Sequence, residues 1–366
     1  MKLDTKLLTP AVNFMKNFTA DRDIIPAYRH FYFSEDSLRA YSGTFGAVYY
    51  GLWPKKGFPQ PFSLPAESLV KILSTLADQS VDEVDFSEVK NGRMVVKGGR
   101  FKSTMPVLQG DELKDFLTPK PKTKSQEVVL DWWKDVERLL FSVCKDETNP
   151  SLRGLYISPT GTLAASDNYR ISILRPNSDS FKPEKALLIP EYLLSRLGAR
   201  RSIVQAIFVE ENRLWFNLES ALVYGVKLES EFPASRIATV LKETQAATKD
   251  KKSGGTWITL QPDGSLSLIL SRLAYFADSM SCKFTVTVET KSILIQVGGE
   301  DGEPAAEEVI PAKIDGPGGT FNVNGNYFAE ACSVGSMFWF APEPLTRPLY
   351  FQSPDKRLDH LVRRLA

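Results

Sequence analysis

Histidine is nearly missing from this sequence: 2 of 366 residues, His30 and His360. General acid–base catalysis and metal binding lean on histidine more than on any other side chain, so both have little to draw on. His30 sits in an aromatic run and His360 in a charged segment, neither in a recognisable catalytic spacing, and a structural role is expected for each. Cysteine is also scarce. Cys144, Cys282 and Cys332 are odd in number, far apart and in apolar surroundings. That pattern excludes a disulfide framework and a zinc finger and reads as reduced core residues of a cytoplasmic protein. No phosphate-binding G-x-x-x-x-G-K, strand-following G-x-G-x-x-G, H-E-x-x-H or G-x-S-x-G occurs. No catalytic residue, cofactor site or metal site is expected, and the chain reads as a non-enzyme. Charge of one sign is lacking too: 45 Lys and Arg against 44 Asp and Glu leave a net charge of +1. Any nucleic-acid contact must then come from segregated charge. No stretch approaches the roughly 18 apolar residues of a spanning helix. MKLDTKLLTP carries no apolar leader, so neither a membrane partner nor a signal peptide is expected.

What the chain does have is repetition. FSLPAESLVKILSTL, residues 62–76, reads as a strand that ends at a proline and turns into a helix. A first-turn proline costs nothing there, because its missing N–H would have no helical partner. Leu69, Ile72, Leu73 and Leu76 then make one apolar face. The phrase returns as LLIPEYLLSRL at 187–197 and as FNVNGNYFAEAC at 321–332. Pro65 to Pro190 is a shift of 125 positions, and the same shift carries Leu38 onto Leu163; both lie in hairpin-like alternating segments. NGRMVVKGGRFKSTMPVL at 91–108 parallels ENRLWFNLESALVYGVKL at 211–228. In the third copy KFTVTVETKSILIQV is the hairpin and residues 347–365 are the closing pair. The third copy fits with an insertion, placed near Glu300–Glu303 and the glycine-rich turn 316–319.

Repeats come before any other reading, because missing one miscalls the fold. The expectation is an α+β fold of three repeated domains, each an antiparallel sheet plus two helices. The domains are read as 1–118, 126–241 and 256–366. Between them lie two linkers: 119–125, within the Pro- and Lys-rich LTPKPKTKS, and 242–255, KETQAATKDKKSGG. Basic residues recur on or near the helices: Arg22, Lys71, Lys134, Arg138, Arg196, Arg200, Arg201 and Arg272. Singly each reads as ordinary solvated surface. Together, if repeated helices face one way, they make a surface that attracts phosphate without reading sequence.

With the repeats on the page, the chain resembles the bacterial-type DNA polymerase sliding clamp, the beta subunit of the replicative polymerase and a DNA processivity factor. The form is divergent, such as a phage or plasmid would carry. The residues behind the resemblance are the threefold strand-to-helix phrase, LRGLYISPTGTLAASDNYRISIL at 152–174, the Glu231-Phe232-Pro233 phrase, and FNVNGNYFAEA. The family's hairpin tip reads Thr-Asp-Gly-His-Arg-Leu. Here it is Ser166-Asp167-Asn168-Tyr169-Arg170-Ile171, with Gly and His replaced. The family's Met-Pro-rich end is also absent.

The resemblance implies a head-to-tail homodimer forming a ring around duplex DNA, with helices lining the hole. It implies DNA replication as the setting, a clamp loader to open the ring, and a polymerase and other clients that dock through short linear peptides. Matched by motif, the client pocket would hold Leu152, Asn168, Tyr169, Arg170, Ile171, Pro233, Ile237, Ala238, Leu361 and Val362. The eight basic residues above would face DNA. Phe101, Tyr275 and Phe276 are the candidates for the dimer interface. Two other readings stand beside this one: a clamp-like decoy or inhibitor that sequesters host clamp-binding proteins, and an unrecognised nucleotide-processing enzyme.

Overall fold

The computed structural model describes residues 1–53, 58, 61–89, 92–108, 120–128, 130–177, 180–250, 254–262, 264–299, 303–343 and 347–365. Among them are seven α-helices: α1 (Thr5–Lys16), α2 (Ala66–Asp78), α3 (Leu130–Glu137), α4 (Glu191–Leu197), α5 (Ala234–Lys249), α6 (Leu266–Ala274) and α7 (Gly325–Val334). Strand pairings throughout are antiparallel, so the chain is α+β with antiparallel sheets, as its alternating segments require. Contact density divides it into two compact units, Met1–Leu130 with Tyr192–Lys227, and Asp131–Glu191 with Leu228–Ala366; the middle repeat contributes to both.

The strand-to-helix phrase forms three times. Phe62–Pro65 leads into α2, Leu187–Pro190 into α4, and Gly319–Asn324 into α7. Pro65 occupies the cap position of α2 and extends the strand, pairing with His30 across the ladder. In the third copy Asn324 takes that place, and its side chain accepts from the backbone of Asn326 at 3.0 Å and Tyr327 at 3.2 Å. Proline satisfies the helix start by lacking a donor, asparagine by accepting from one.

The first unit holds two sheets. An eight-stranded sheet runs in the order Phe62–Pro65, His30–Phe33, Ser37–Tyr41, Phe45–Tyr50, Ala221–Val226, Arg213–Leu218, Val204–Val209, Gln126–Glu127. A four-stranded sheet runs Lys2–Asp4, Glu83–Val89, Arg93–Gly98, Phe101–Pro106, with the last strand at its edge. Helices α1 and α2 pack on each other, burying Leu8, Val12 and Met15 against Leu69, Leu73 and Leu76. Phe33 stacks on Phe62 at 4.8 Å and meets Trp53, Phe58 and Phe86. Residues from the first and middle repeats share one ladder here, Phe45–Tyr50 against Ala221–Val226.

The second unit is built on one long sheet. Its order is Leu187–Pro190, Gly154–Ile157, Leu163–Ser166, Arg170–Leu174, Leu358–Val362, Leu349–Gln352, Met337–Phe340, Thr256–Leu260, Ala306–Asp315, Ser292–Val297, Lys283–Val288, Gly319–Asn324, Arg364–Leu365. Middle and last repeats join where Arg170–Leu174 pairs with Leu358–Val362. Phe284, Phe321, Phe328, Phe338 and Phe351 form an aromatic core with Leu270 and Leu273 of α6 and Ala331 of α7.

Three expectations need correction. The run read as a second linker, 242–255, is helical as far as Lys249, because α5 continues through it; residues 251–253 lie outside the described residues. The first helix of the third repeat, which the apolar spacing of SLSLILSRLAYFADS places at 265–279, stops at Ala274. That of the middle repeat, which Trp132, Val136, Leu139, Leu140 and Val143 place at 131 to about 143, ends at Glu137 and gives way to a single 3-10 turn at Leu140–Ser142. In the first linker, 120–125 carry no helix or strand, while Pro119 and the acidic stretch 300–302 lie outside the described residues.

The inter-repeat ladder of the first unit depends on a close approach. A Cβ on Gly46 would sit 2.5 Å from the Tyr224 hydroxyl and 2.7 Å from the Ala40 carbonyl oxygen. Gly46 and Tyr224 are ladder partners, and the Tyr224 ring covers the gap while touching Tyr41 and Trp215. Gly46→Ala is therefore expected to lower unfolding stability by about 1–3 kcal/mol, measured by urea denaturation. Ala at the open turn position Gly92, beside which no atom lies within 4 Å, is the comparison. It tests backbone strain at φ +67 alone.

Candidate functional site

The tip of the middle-repeat hairpin is organised by one carboxylate. Asp167 Oδ1 accepts the backbone N–H of Tyr169 and of Arg170, each at 3.1 Å, and Oδ2 accepts Arg170 Nε at 2.8 Å. Asn168 takes φ +75, a left-handed conformation that asparagine tolerates, so it replaces glycine here without cost to the turn. Ser166 Oγ donates to the Arg170 carbonyl at 2.9 Å and closes the tip.

Strand alternation then divides residues that are consecutive in sequence. Arg170 pairs with Val362 and Ile171 with Leu361, so the two pairs point to opposite faces. Ile171 and Leu361 join a cluster built on buried Trp339 and Tyr350, against which Trp257 and, from α5, Val240, Leu241 and Ala247 pack partly buried. Ile171 and Leu241 also belong to a second cluster with Leu152, Leu188, Phe232 and Ile237, extended by Tyr156, Leu228 and Ala234. Tyr156 stacks on Phe232 at 4.8 Å. The two clusters share Ile171 and Leu241, and most of their members are buried; Pro233, half-buried, and Ala238, exposed, belong to neither. Of the ten sequence-derived pocket residues, Leu152, Ile171, Ile237 and Leu361 come together here.

Arg170 and Val362 do not join them. Val362 lies in the aromatic core of the last repeat. Arg170 is buried against α7, paired with Glu330 as well as Asp167, 4.4 Å from the Tyr327 ring and 5.4 Å from Phe141. Asn168 and Tyr169 are exposed; Tyr169, 49% exposed, lies 6.0 Å from Tyr327. The sequence reading missed Tyr156, Leu188, Phe232 and Leu241. Phe232 was within reach, being part of the Glu-Phe-Pro phrase. Leu241 was read as the last residue of the middle domain, with no helical face to mark it.

On the opposite face of the strand His360 is fully buried, although its neighbours in sequence are charged. Ser142 Oγ and Ser172 Oγ are 2.7 Å apart, and Ser172 Oγ is 2.7 Å from His360 Nδ1. His360 Nε2 has no partner among the described residues. Burial, and then the charge of Arg170, push its pKa down to about 3.

The basic residues fall into distinct groups. Arg138 is bidentate on Asp355 at 2.8 and 3.2 Å, and its hydrogen bonds hold that carboxyl far below the usual range. Lys71 pairs with Glu67 at 2.7 Å one turn earlier, and Arg272 with Glu308 at 2.7 Å. Arg196 lies 3.8 Å over the Phe45 ring and donates to the Tyr192 carbonyl at 3.2 Å, and Arg200 lies 4.3 Å over Phe14. Arg22 and Lys134 are exposed. The side chain of Arg201 lies outside the described residues. Phe101, Tyr275 and Phe276 are 40%, 87% and 52% exposed, so none is a core residue of the single chain. Among the described residues no group of three His, Cys, Asp or Glu could hold a metal ion, and no helix is long and apolar enough to cross a membrane.

No family model and no curated protein sequence matches the chain. Solved structures do. A DNA polymerase III beta subunit from Borrelia burgdorferi aligns with a TM-score of 0.82 at 14% identity, covering 100% of this chain and 98% of that one. A putative DNA polymerase III beta subunit from Eubacterium rectale aligns at 0.80 and 16% identity, covering 100% and 99%. The DNA polymerase sliding clamp of Bacillus subtilis aligns at 0.79 and 17% identity, covering 100% and 98%. The chain has the sliding-clamp fold from end to end, in a sequence that has diverged from these relatives in structure.

The His360 assignment carries a pH dependence. A histidine held neutral in the fold but ordinary when unfolded stabilises fully above its unfolded value, near 6.5. That stability is lost as pH falls from there toward 3. Each pH unit in this window costs about 1.4 kcal/mol for one proton. Denaturation midpoints between about pH 7 and pH 5 should fall for the natural protein. They should fall less for His360→Leu.

Proposed function

We propose that this chain is a DNA sliding clamp, a processivity factor that works in the cytoplasm during DNA replication and has no catalytic activity of its own. The observation that carries the reading is the end-to-end likeness to clamps, over the whole of this chain and nearly the whole of theirs. Two copies would join head to tail into a ring enclosing duplex DNA. The first-unit edge strand Phe101–Pro106 offers an open row of backbone groups, and the exposed Tyr275 and Phe276 offer an apolar contact. Pairing an edge across the dimer removes a site that would otherwise recruit stray strands.

Enclosure explains why a net charge near zero suffices. A closed ring holds DNA by topology, so each phosphate contact can be weak and sliding stays cheap. Arg22, Lys134, Arg196 and Arg200 are assigned that role together with Lys71, Arg138 and Arg272, the last three of which also pair with carboxylates of the same chain. The apolar cluster of Leu152, Ile171, Ile237 and Leu361, with exposed Ala238 and Tyr169 near it in sequence, would take one short linear peptide at a time, from a polymerase, a clamp loader or another client.

Those internal ion pairs favour a second reading, a clamp-shaped decoy that binds such peptides without enclosing DNA. The two readings separate on DNA. For the clamp, Arg22→Ala is expected to leave stability unchanged and to reduce the slope of log affinity against log salt by about one. Fluorescence anisotropy across a salt series measures it, and an unchanged slope removes Arg22 from the DNA-facing set. Assembly is checked by sedimentation. The natural chain should run at twice its own mass at micromolar concentration and Phe101→Asp at the single-chain mass.

A further inference from the structure

The chain from Lys242 to Lys249, KETQAATK, lacks an apolar stripe, but its Lys, Glu, Gln and Ala favour helix and only its two threonines oppose it. It forms the second half of α5. A buried polar network on the sheet beneath anchors it. Asp359, 1% exposed, accepts the Tyr350 hydroxyl at 2.6 Å and Gln352 Nε2 at 3.2 Å, and also pairs with Arg175. Gln245 reaches down from the helix: its Nε2 lies 3.4 Å from the Tyr350 hydroxyl and 3.2 Å from Asp359 Oδ2. Thr244 beside it is buried and turns its hydroxyl back to the Val240 carbonyl at 2.8 Å.

The first half of the same helix supplies Ile237 and Leu241 to the largely buried apolar cluster that holds Leu152, Ile171 and Phe232. A helix of 16 residues is a stiff rod, so fixing its far end fixes the near one. Apolar contacts alone permit sliding, whereas hydrogen bonds to a fixed carboxylate and hydroxyl select one register.

We propose that Gln245 is a positioning residue for the peptide groove, and that the second half of α5 is a splint holding the wall made by Ile237 and Leu241 at the spacing a short apolar peptide needs. The proposal rests on the groove reading given above. Gln245 makes its hydrogen bonds to Tyr350 and Asp359, so it acts through the helix and not by touching the peptide. Its removal leaves Asp359 bonded to Tyr350, Gln352 and Arg175, so the sheet keeps its buried carboxylate paired.

The test uses the full chain and fluorescein-labelled ten-residue peptides with two or three Leu or Phe residues in a Ser-Gly background. The natural protein is expected to hold members of this set. Gln245→Ala and Gln245→Met should weaken them about fivefold, chiefly through faster release, with the denaturation midpoint unchanged and amide exchange faster along 237–249. Gln245→Glu adds a readout that a loss of packing would not give. Its carboxylate faces Asp359, with Tyr350, Gln352 and Arg175 as the other polar groups of the network. Its affinity relative to the natural protein should recover from about pH 7.5 to about pH 5, as two adjacent carboxylates come to share a proton. Equal binding by the natural protein and all three variants overturns the proposal while leaving the groove in place. Binding of no peptide by the natural protein overturns the groove itself, and the proposal with it.

Discussion

Backbone pairing across repeat boundaries is the constraint on which this structure rests. Phe45–Tyr50 against Ala221–Val226 in the first unit, and Arg170–Leu174 against Leu358–Val362 in the second, carry each sheet from one repeat into the next. A ladder is unforgiving of register, because a slip of one residue exchanges its two faces. At the second junction that exchange would put His360 and Arg170 on the apolar side and Leu361 and Ile171 among the helices. Buried groups hold the register: Asp167 and Glu330 on Arg170, Ser172 on His360, and Arg175 on Asp359.

Much of the architecture was legible because repetition is visible without knowing what is repeated. The three strand-to-helix phrases fold as their spacing implied, and so do the hairpins near 163–174, 213–226 and 283–297. What could not be read was anything set by tertiary contact. KETQAATK has no apolar stripe to mark it as a packed helix, and what places it on the sheet, the contacts of Gln245 and Ala247, is tertiary. The site list was drawn from consecutive residues, and a strand does not use consecutive residues together. Hence Arg170 and Val362 fell to one face and Ile171 and Leu361 to the other. Burial of His360 was equally invisible, since its neighbours in sequence are charged while its neighbours in space are Phe141 and Phe351.

Electrostatics follow the same division of labour. Several cations that read as a DNA-facing set are used inside the chain: Arg138 with Asp355, Lys71 with Glu67, Arg272 with Glu308. Exposed pairs of this kind add little stability, but they do mask charge. Arg196 and Arg200 also lie on aromatic rings, where a planar guanidinium stays preorganised. In the proposed clamp, weak local attraction combined with enclosure would let the protein stay on DNA and still move along it.

The central claim is enclosure, and topology tests it directly. Protein loaded onto nicked circular DNA by a clamp loader is challenged with raised salt, and the circle is then cut once. A clamp stays on the intact circle and leaves within the time needed to slide off the new ends. Retention that is equal before and after the cut, or loss from the intact circle at the same salt, would contradict the account.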